Sequence, residues 1–192
     1  MRASLPWLAA LAASVLAELG VPTYVIVQHE RVMRTGETFR FRMAPVDPYD
    51  AFRGRYIALR FEQHCAPVAA ASLMTWADRT VDVPVETGPD GFARLGIVDG
   101  SAKRGQAYLT LHSPYPCPNA DAVQVEIPFD RFYLEEDIAP AAELVYREHT
   151  GDAQRDAYAS VRVRDGIGVI ENVYIGGKPI ADVVRERGSK RE

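Results

Sequence analysis

Residues 157–175 read AYASVRVRDGIGVIENVYI, and this stretch decides the class of fold. Two strand candidates, residues 157–164 and 167–175, flank Asp165-Gly166. A two-residue connection of that identity is the strongest local hairpin signal, because a type I′ turn needs positive φ at both central positions. Gly176-Gly177 follows at once and supports a further turn.

Working outward, residues 38–43 alternate strictly, with Phe39, Phe41 and Met43 on one face and Arg40 and Arg42 on the other. That pattern describes a half-buried strand. After the turn-rich 45–50 and Arg53-Gly54, a second alternating run sets Ile57, Leu59 and Phe61 against Tyr56, Ala58 and Arg60. Further short strands are expected at 81–85, 92–98, 107–112 and 122–129, all separated by Gly, Pro, Asp or Asn. In the last of these Val123, Val125, Ile127 and Phe129 keep a period of two, while Pro128 marks an edge or an end. Helices are expected at 66–78 and at 138–149. The second presents Ile138, Ala141, Ala142 and Val145 on one side, with Pro140 in the first turn, where its missing N–H costs little. The reading is a mainly β or α+β fold: a single β-rich domain with one or two short helices, over residues 28–184, followed by a charged, solvated tail at 185–192.

The segment before that domain differs in kind. Residues 5–27 are largely apolar, with one charge, Glu18, and two prolines, Pro6 and Pro22. A membrane-spanning helix needs about 20 largely apolar residues, whereas a signal-peptide core needs about 7–15. Val15-Leu16-Ala17 would suit a signal peptidase, yet apolar sequence resumes at 21–27, which favours an uncleaved anchor over residues 1–27. A half-exposed helix of a soluble protein would show a polar face, and residues 5–19 show none apart from Glu18. Residues 28–35 continue the helix for a turn or two until Gly36 ends it. The arrangement implies a single-pass protein of the inner membrane with its C-terminal domain in the periplasm or outside the cell. Arg31, Arg34, Arg40 and Arg42 follow the segment and blunt the charge asymmetry that sets orientation.

Two cysteines, Cys65 and Cys117, each beside prolines in loop-like sequence, fit an oxidising compartment. They form a candidate disulfide, with two unpaired thiols as the alternative. Across all 192 residues the hydrophobic fraction is 47% and the charged fraction 25%, which excludes wholesale disorder and a multi-spanning protein. A net charge of −4 leaves no excess of cations to neutralise phosphates, so nucleic acid is excluded as a partner.

The stretch PVDPYDAFRGRYIALRF, residues 45–61, resembles the signature of the GDYXXLXY domain family of bacterial proteins. Gly54, Tyr56 and Leu59 match, whereas Arg55 stands in place of the family's aspartate and Phe61 in place of its final tyrosine. The order of parts is also similar: an apolar N-terminus, this motif, the aromatic-acidic Phe132-Tyr133-Leu134-Glu135, and a final hairpin. The resemblance implies a membrane-anchored envelope protein, often encoded beside multi-spanning membrane proteins, so such a protein is the expected partner. It supplies no catalytic set. Physically, Asp47 can accept a backbone hydrogen bond, Pro48 fixes φ and Gly54 permits a reversal, so Gly54, Leu59 and Phe61 are expected to serve the fold. Asp47, Arg53, Tyr56 and Arg60 form the candidate binding surface.

Catalytic patterns are missing. There is no zinc spacing, His29, His64, His112 and His149 are scattered, and neither a phosphate-binding loop nor a Gly-x-Ser-x-Gly elbow occurs, so no metal or cofactor is expected. Ser72, Ser101, Ser113 and Ser160 have only Lys103 or Lys178 for a serine–lysine pairing, and none lies in a recognisable context. Glu135-Glu136-Asp137 reads as surface charge preceding a helix. Tyr108, Tyr115, Phe132 and Tyr133 are a weaker candidate for a carbohydrate-stacking patch. The leading expectation is a non-catalytic scaffold; the alternative is an envelope hydrolase or a small-ligand or carbohydrate-binding module.

Overall fold

One glycine joins the apolar helix to the sheet. In a computed structural model, which describes residues 5–45, 56–68, 76, 78–100, 105–118, 121–151 and 155–189, helix α1 (Leu5–Thr35) stops where the Gly36 N–H returns to the Val32 carbonyl at 2.7 Å. Strand β1 (Glu37–Ala44) starts at the next residue. No side chain fits at Gly36, since a Cβ there would lie 2.5 Å from the Val32 carbonyl oxygen and 3.2 Å from that of Val163. The helix is long and apolar enough to cross a membrane. Trp7, Leu16, Leu19, Val21 and Ile26 are exposed on it, and only near its end does Val32 become buried.

The alternation expected for β1 holds: Phe39, Phe41 and Met43 are buried while Arg40 is exposed. On one side β1 pairs with β10 (Ala157–Arg164), and on the other its end meets β3 (Arg60–Phe61). Strand β10 pairs in turn with β11 (Ile167–Ile175), and β11 with β12 (Lys178–Pro179). The result is a five-stranded antiparallel sheet in the order β12-β11-β10-β1-β3. Asp165 and Gly166 sit at φ 50° and 83°, as the type I′ reading requires, and Gly176 and Gly177 at 55° and 79° make the next turn. A bulge between Ser160 and Val161 leaves Glu171 without an opposite residue.

Behind the sheet, β5 (Arg79–Thr87) lies between β6 (Ala93–Leu95) and β7 (Tyr108–Ser113). Val81, Val83, Leu109 and Leu111 belong to the same buried cluster as Phe41, Val161 and Val173. Two small pairings complete the strands: β2 (Tyr56–Ala58) with β9 (Arg131–Tyr133), and β4 (Cys65–Pro67) with β8 (Ala122–Gln124). Helix α2 (Ala139–Thr150) buries Ala142, Val145 and Tyr146, and α3 (Ile180–Ser189) buries Ile180 and Val184. The chain is thus strand-rich, as expected, with an apolar helix leading it.

Several local expectations need correction. The helix expected at 66–78 begins instead as β4, with Val68 bridging Val98; Cys65 and Pro67 tie that backbone to β8 before a helix can start, and only Trp76 is helical among the described residues there. The run from Tyr56 to Phe61 is two strands with different partners, broken at Leu59, whose N–H turns to the Asp130 carbonyl at 2.7 Å. Strand β8 ends at Gln124, yet Val125 and Phe129 stay buried on the expected period. Ala141 is exposed, and the buried face of α2 runs through Ala139, Ala142, Val145 and Tyr146 instead. Finally, residues 185–189 are not a free tail. They are the last turns of α3, where Arg187 meets Glu148 of α2 at 2.6 Å and Arg185 meets Glu135 at 3.6 Å.

Candidate functional site

Asp47, Arg53 and Gly54 lie outside the described residues, so the candidate surface is built from Tyr56 and Arg60. Tyr56 opens β2 opposite Tyr133 of β9, their rings 5.6 Å apart, and the Arg131 guanidinium lies 5.2 Å from the centre of the Tyr56 ring. A cation over an aromatic face at that distance is attracted by the ring quadrupole. Tyr56 is half-buried and Tyr133 is exposed. Arg60 is also exposed, but it lies on β3, which pairs with β1, and its backbone N–H points at the Tyr146 hydroxyl at 3.5 Å. Leu59 and Phe61 are buried. Phe61 meets Phe41 and Phe129 edge-to-face at 5.8 and 5.5 Å, which assigns it to the core.

Beside the Tyr56–Tyr133 pair the surface dips into a cleft of about 610 Å³. One wall is His29 of α1, another is the segment Pro128 to Tyr133, and the third is Gly168 to Ile170 at the start of β11. The sequence builds it through bare backbone: a Cβ at Gly168 would meet Phe129 at 2.4 Å and Leu109 at 2.9 Å, so the strand presses directly onto the core there. His29 donates from Nδ1 to the Val25 carbonyl at 2.8 Å. Asp130 and Arg131 sit at the cleft as an adjacent pair of opposite charge, 3.5 Å apart, both substantially exposed. Sequence reasoning passed over Asp130 and Arg131, and weighed His29 only as a scattered histidine without metal-ligand spacing. The available signal was the Arg131-Phe132-Tyr133 run, read only for its aromatic members.

The joint between α1 and the sheet is polar. Arg162 donates to the Gly36 carbonyl at 3.3 Å and to Glu171 at 2.8 Å, and Ser160 donates to the other Glu171 oxygen at 3.0 Å. The Arg162 hydrogen bond holds the Glu171 carboxyl below the usual carboxylate range, and the same contact raises Arg162. Arg164 reaches back to the Thr35 hydroxyl of α1.

The expected aromatic patch is dispersed: Tyr108 lies on β7, Tyr115 is exposed on the segment that follows it, and Phe132 and Tyr133 are on β9. A different ladder runs across the sheet. Arg42 covers the Phe92 ring at 3.7 Å, Phe92 meets Tyr158 edge-to-face at 5.8 Å, and Tyr158 stacks on Tyr174 at 5.0 Å.

Cys65 and Cys117 are bonded to each other, linking β4 to the segment after β7 with Cα atoms 6.2 Å apart. Closing a loop with a sequence separation of 52 restricts the unfolded chain by about 4 kcal/mol in chain-entropy terms. Of the serine–lysine candidates, Ser72, Ser101 and Lys103 lie outside the described residues. Ser113 is buried, Ser160 is engaged by Glu171, and Lys178 pairs with Glu186 at 2.7 Å. Among the described residues no cluster of three His, Cys, Asp or Glu could hold a metal ion.

The model of the GDYXXLXY protein family matches residues 18–173, from the middle of α1 into β11. The chain belongs to this family. No curated protein and no solved structure matches it. For a GDYXXLXY protein, the match includes all three walls of the cleft and the whole α1–β1 joint, while α3 lies beyond it.

Proposed function

We propose that this GDYXXLXY protein is a non-catalytic envelope protein whose α1 crosses the inner membrane once and whose periplasmic domain binds or scaffolds a membrane or envelope partner. The observation that carries this reading is α1 itself, an apolar helix left uncovered by the domain and joined to β1 through one glycine. A chain that exposes so much apolar surface in water would aggregate, and a bilayer removes that cost. The short joint keeps the domain close to the membrane surface, which raises its effective concentration for any partner in the same bilayer. A multi-spanning membrane protein fits that geometry. The best candidate contact is the aromatic-cationic surface of Tyr56, Arg131 and Tyr133 beside α1, with Arg60 exposed on the neighbouring β3.

In-membrane crosslinking followed by affinity isolation tests the reading. The wild-type chain is expected to retain a membrane protein that a Tyr56→Ala/Tyr133→Ala variant loses; identical recovery by both would remove this surface from the interaction. Blocking of periplasm-specific thiol labelling at Cys65 and Cys117, relieved by a reductant, is the matching test of topology.

A further inference from the structure

The cleft beside α1 has a depth as well as a shape. Its α1 wall is His29, two residues beyond the apolar run that ends at Val27. Residues 5–27 in helical form span about 34 Å at about 1.5 Å per residue, enough to fill a hydrocarbon core of about 30 Å. His29 then lies about 3 Å past the end of that run, inside the layer of roughly 5–7 Å that headgroups occupy on each side. The cleft therefore opens where phospholipid headgroups are.

Its lining matches such a ligand. Phe132 and Tyr133 supply aromatic surface of the kind that concentrates at membrane interfaces, and Tyr133 is 66% exposed. Asp130 and Arg131 place one negative and one positive group side by side at the same opening, both substantially exposed. A lone cation would select any anionic lipid. A cation paired with acceptors is complementary to a zwitterion whose phosphate accepts hydrogen bonds and whose ammonium donates them.

We infer that this cleft binds the headgroup of a phosphatidylethanolamine molecule from the bilayer that α1 crosses, with Arg131 meeting the phosphate and Asp130 the ammonium. Phosphatidylcholine offers the same phosphate but no N–H, so the two lipids separate the roles of the two residues. The inference rests on α1 being membrane-embedded, and the test is arranged to fail separately for each.

The full chain is inserted into vesicles of equal parts phosphatidylethanolamine and phosphatidylcholine and washed with alkaline carbonate. It is then released in mild detergent, and its retained lipids are weighed by native mass spectrometry. The wild type is expected to resist the wash and to retain phosphatidylethanolamine about fivefold over phosphatidylcholine, the ratio that about 1 kcal/mol produces. Asp130→Asn should keep bound lipid and lose the preference, and Arg131→Gln should lose both. Release of the wild type by the wash overturns anchor and cleft together. A wild type that stays embedded but retains the two lipids equally overturns the cleft alone, as does a preference unchanged in Asp130→Asn. A photoreactive phenylalanine analogue at position 133 gives an independent check in the same vesicles: a lipid adduct supports the assignment, and the absence of one overturns it.

Discussion

The two ends of β1 are held by opposite means. At its start, where α1 arrives, the contacts are polar and close to the backbone: Gly36 admits no side chain, Arg162 reaches the Gly36 carbonyl, and Glu171 anchors Arg162. At its finish, Ala44 accepts a hydrogen bond from the hydroxyl of Tyr146 at 3.0 Å, and that ring is 1% exposed among Ala142 and Val145 of α2. Burial holds one end and polar geometry the other. The difference follows from position, because a joint whose polar side chains stay about a third exposed cannot exclude solvent, whereas a helix packed across a sheet can. Polar contacts that remain partly wet contribute little each, so the α1 joint relies on having several.

The most damaging way to break the contrast is at the buried end. Tyr146→Ala is expected to lower unfolding stability by about 3–5 kcal/mol, the cost of removing a large buried ring, as measured by denaturant titration of the detergent-solubilised protein. A loss below about 1 kcal/mol would mean that α2 does not hold β1. Next is Gly36→Val. The atoms its Cβ would strike are the Val32 and Val163 carbonyl oxygens and the Arg162 Cβ, none of which lies at the end of a flexible chain. The expected loss is about 1–3 kcal/mol, with the domain's near-ultraviolet circular dichroism retained, because the strain is confined to the joint.

Tyr146→Phe removes only the hydroxyl and separates the hydrogen bond from the packing. It should cost about 1 kcal/mol, mainly through Ala44, since the Arg60 N–H at 3.5 Å is at the limit of a hydrogen bond. Burial pushes the Tyr146 phenol up to about 12, partly opposed by the Arg60 backbone. A raised pKa favours the neutral ring in the folded state. Its contribution is therefore complete below pH 10 and is lost as pH rises from about 10 towards 12. Melting curves across that window should fall more steeply for the wild type than for Tyr146→Phe, and parallel curves would remove the phenol from the account.

The same contrast governs what could be read without a structure. The hairpin at Asp165-Gly166 and the alternation of β1 were legible because local rules settle both: positive φ at two turn positions and a period of two against one core. The helix–glycine–strand joint at Gly36 was legible for the same reason. Ala66 and Pro67 were misread as the start of a helix because their strand character comes from β8, more than fifty residues away. The break at Leu59 likewise depends on the Asp130 carbonyl. Of the candidate surface, Tyr56 could be named from its alternation, but its neighbours Arg131 and Tyr133 are brought by β9, and His29 by the angle at which α1 leaves. Pairings of that range leave no periodic trace in a single chain.

The finest test lies at the polar end. Glu171 is the bulged residue of β11, and its two carboxylate oxygens take hydrogen bonds from Arg162 and Ser160. Because the Arg162 hydrogen bond lowers the folded-state pKa, the contribution of Glu171 is present above the ordinary value of 4.5 and disappears as pH falls below it. The side chains of Arg162 and Glu171 are 30% and 32% exposed, so solvent screens the pair and its worth is about 1 kcal/mol or less. Glu171→Gln keeps the shape and one acceptor oxygen but removes the charge. It should cost that amount at pH 7 and flatten the acid limb of the stability curve below about pH 4.5, leaving the alkaline limb set by Tyr146 untouched. If the variant altered both limbs, the two ends of β1 would be coupled through the strand, and burial at one end could no longer be treated as independent of charge at the other.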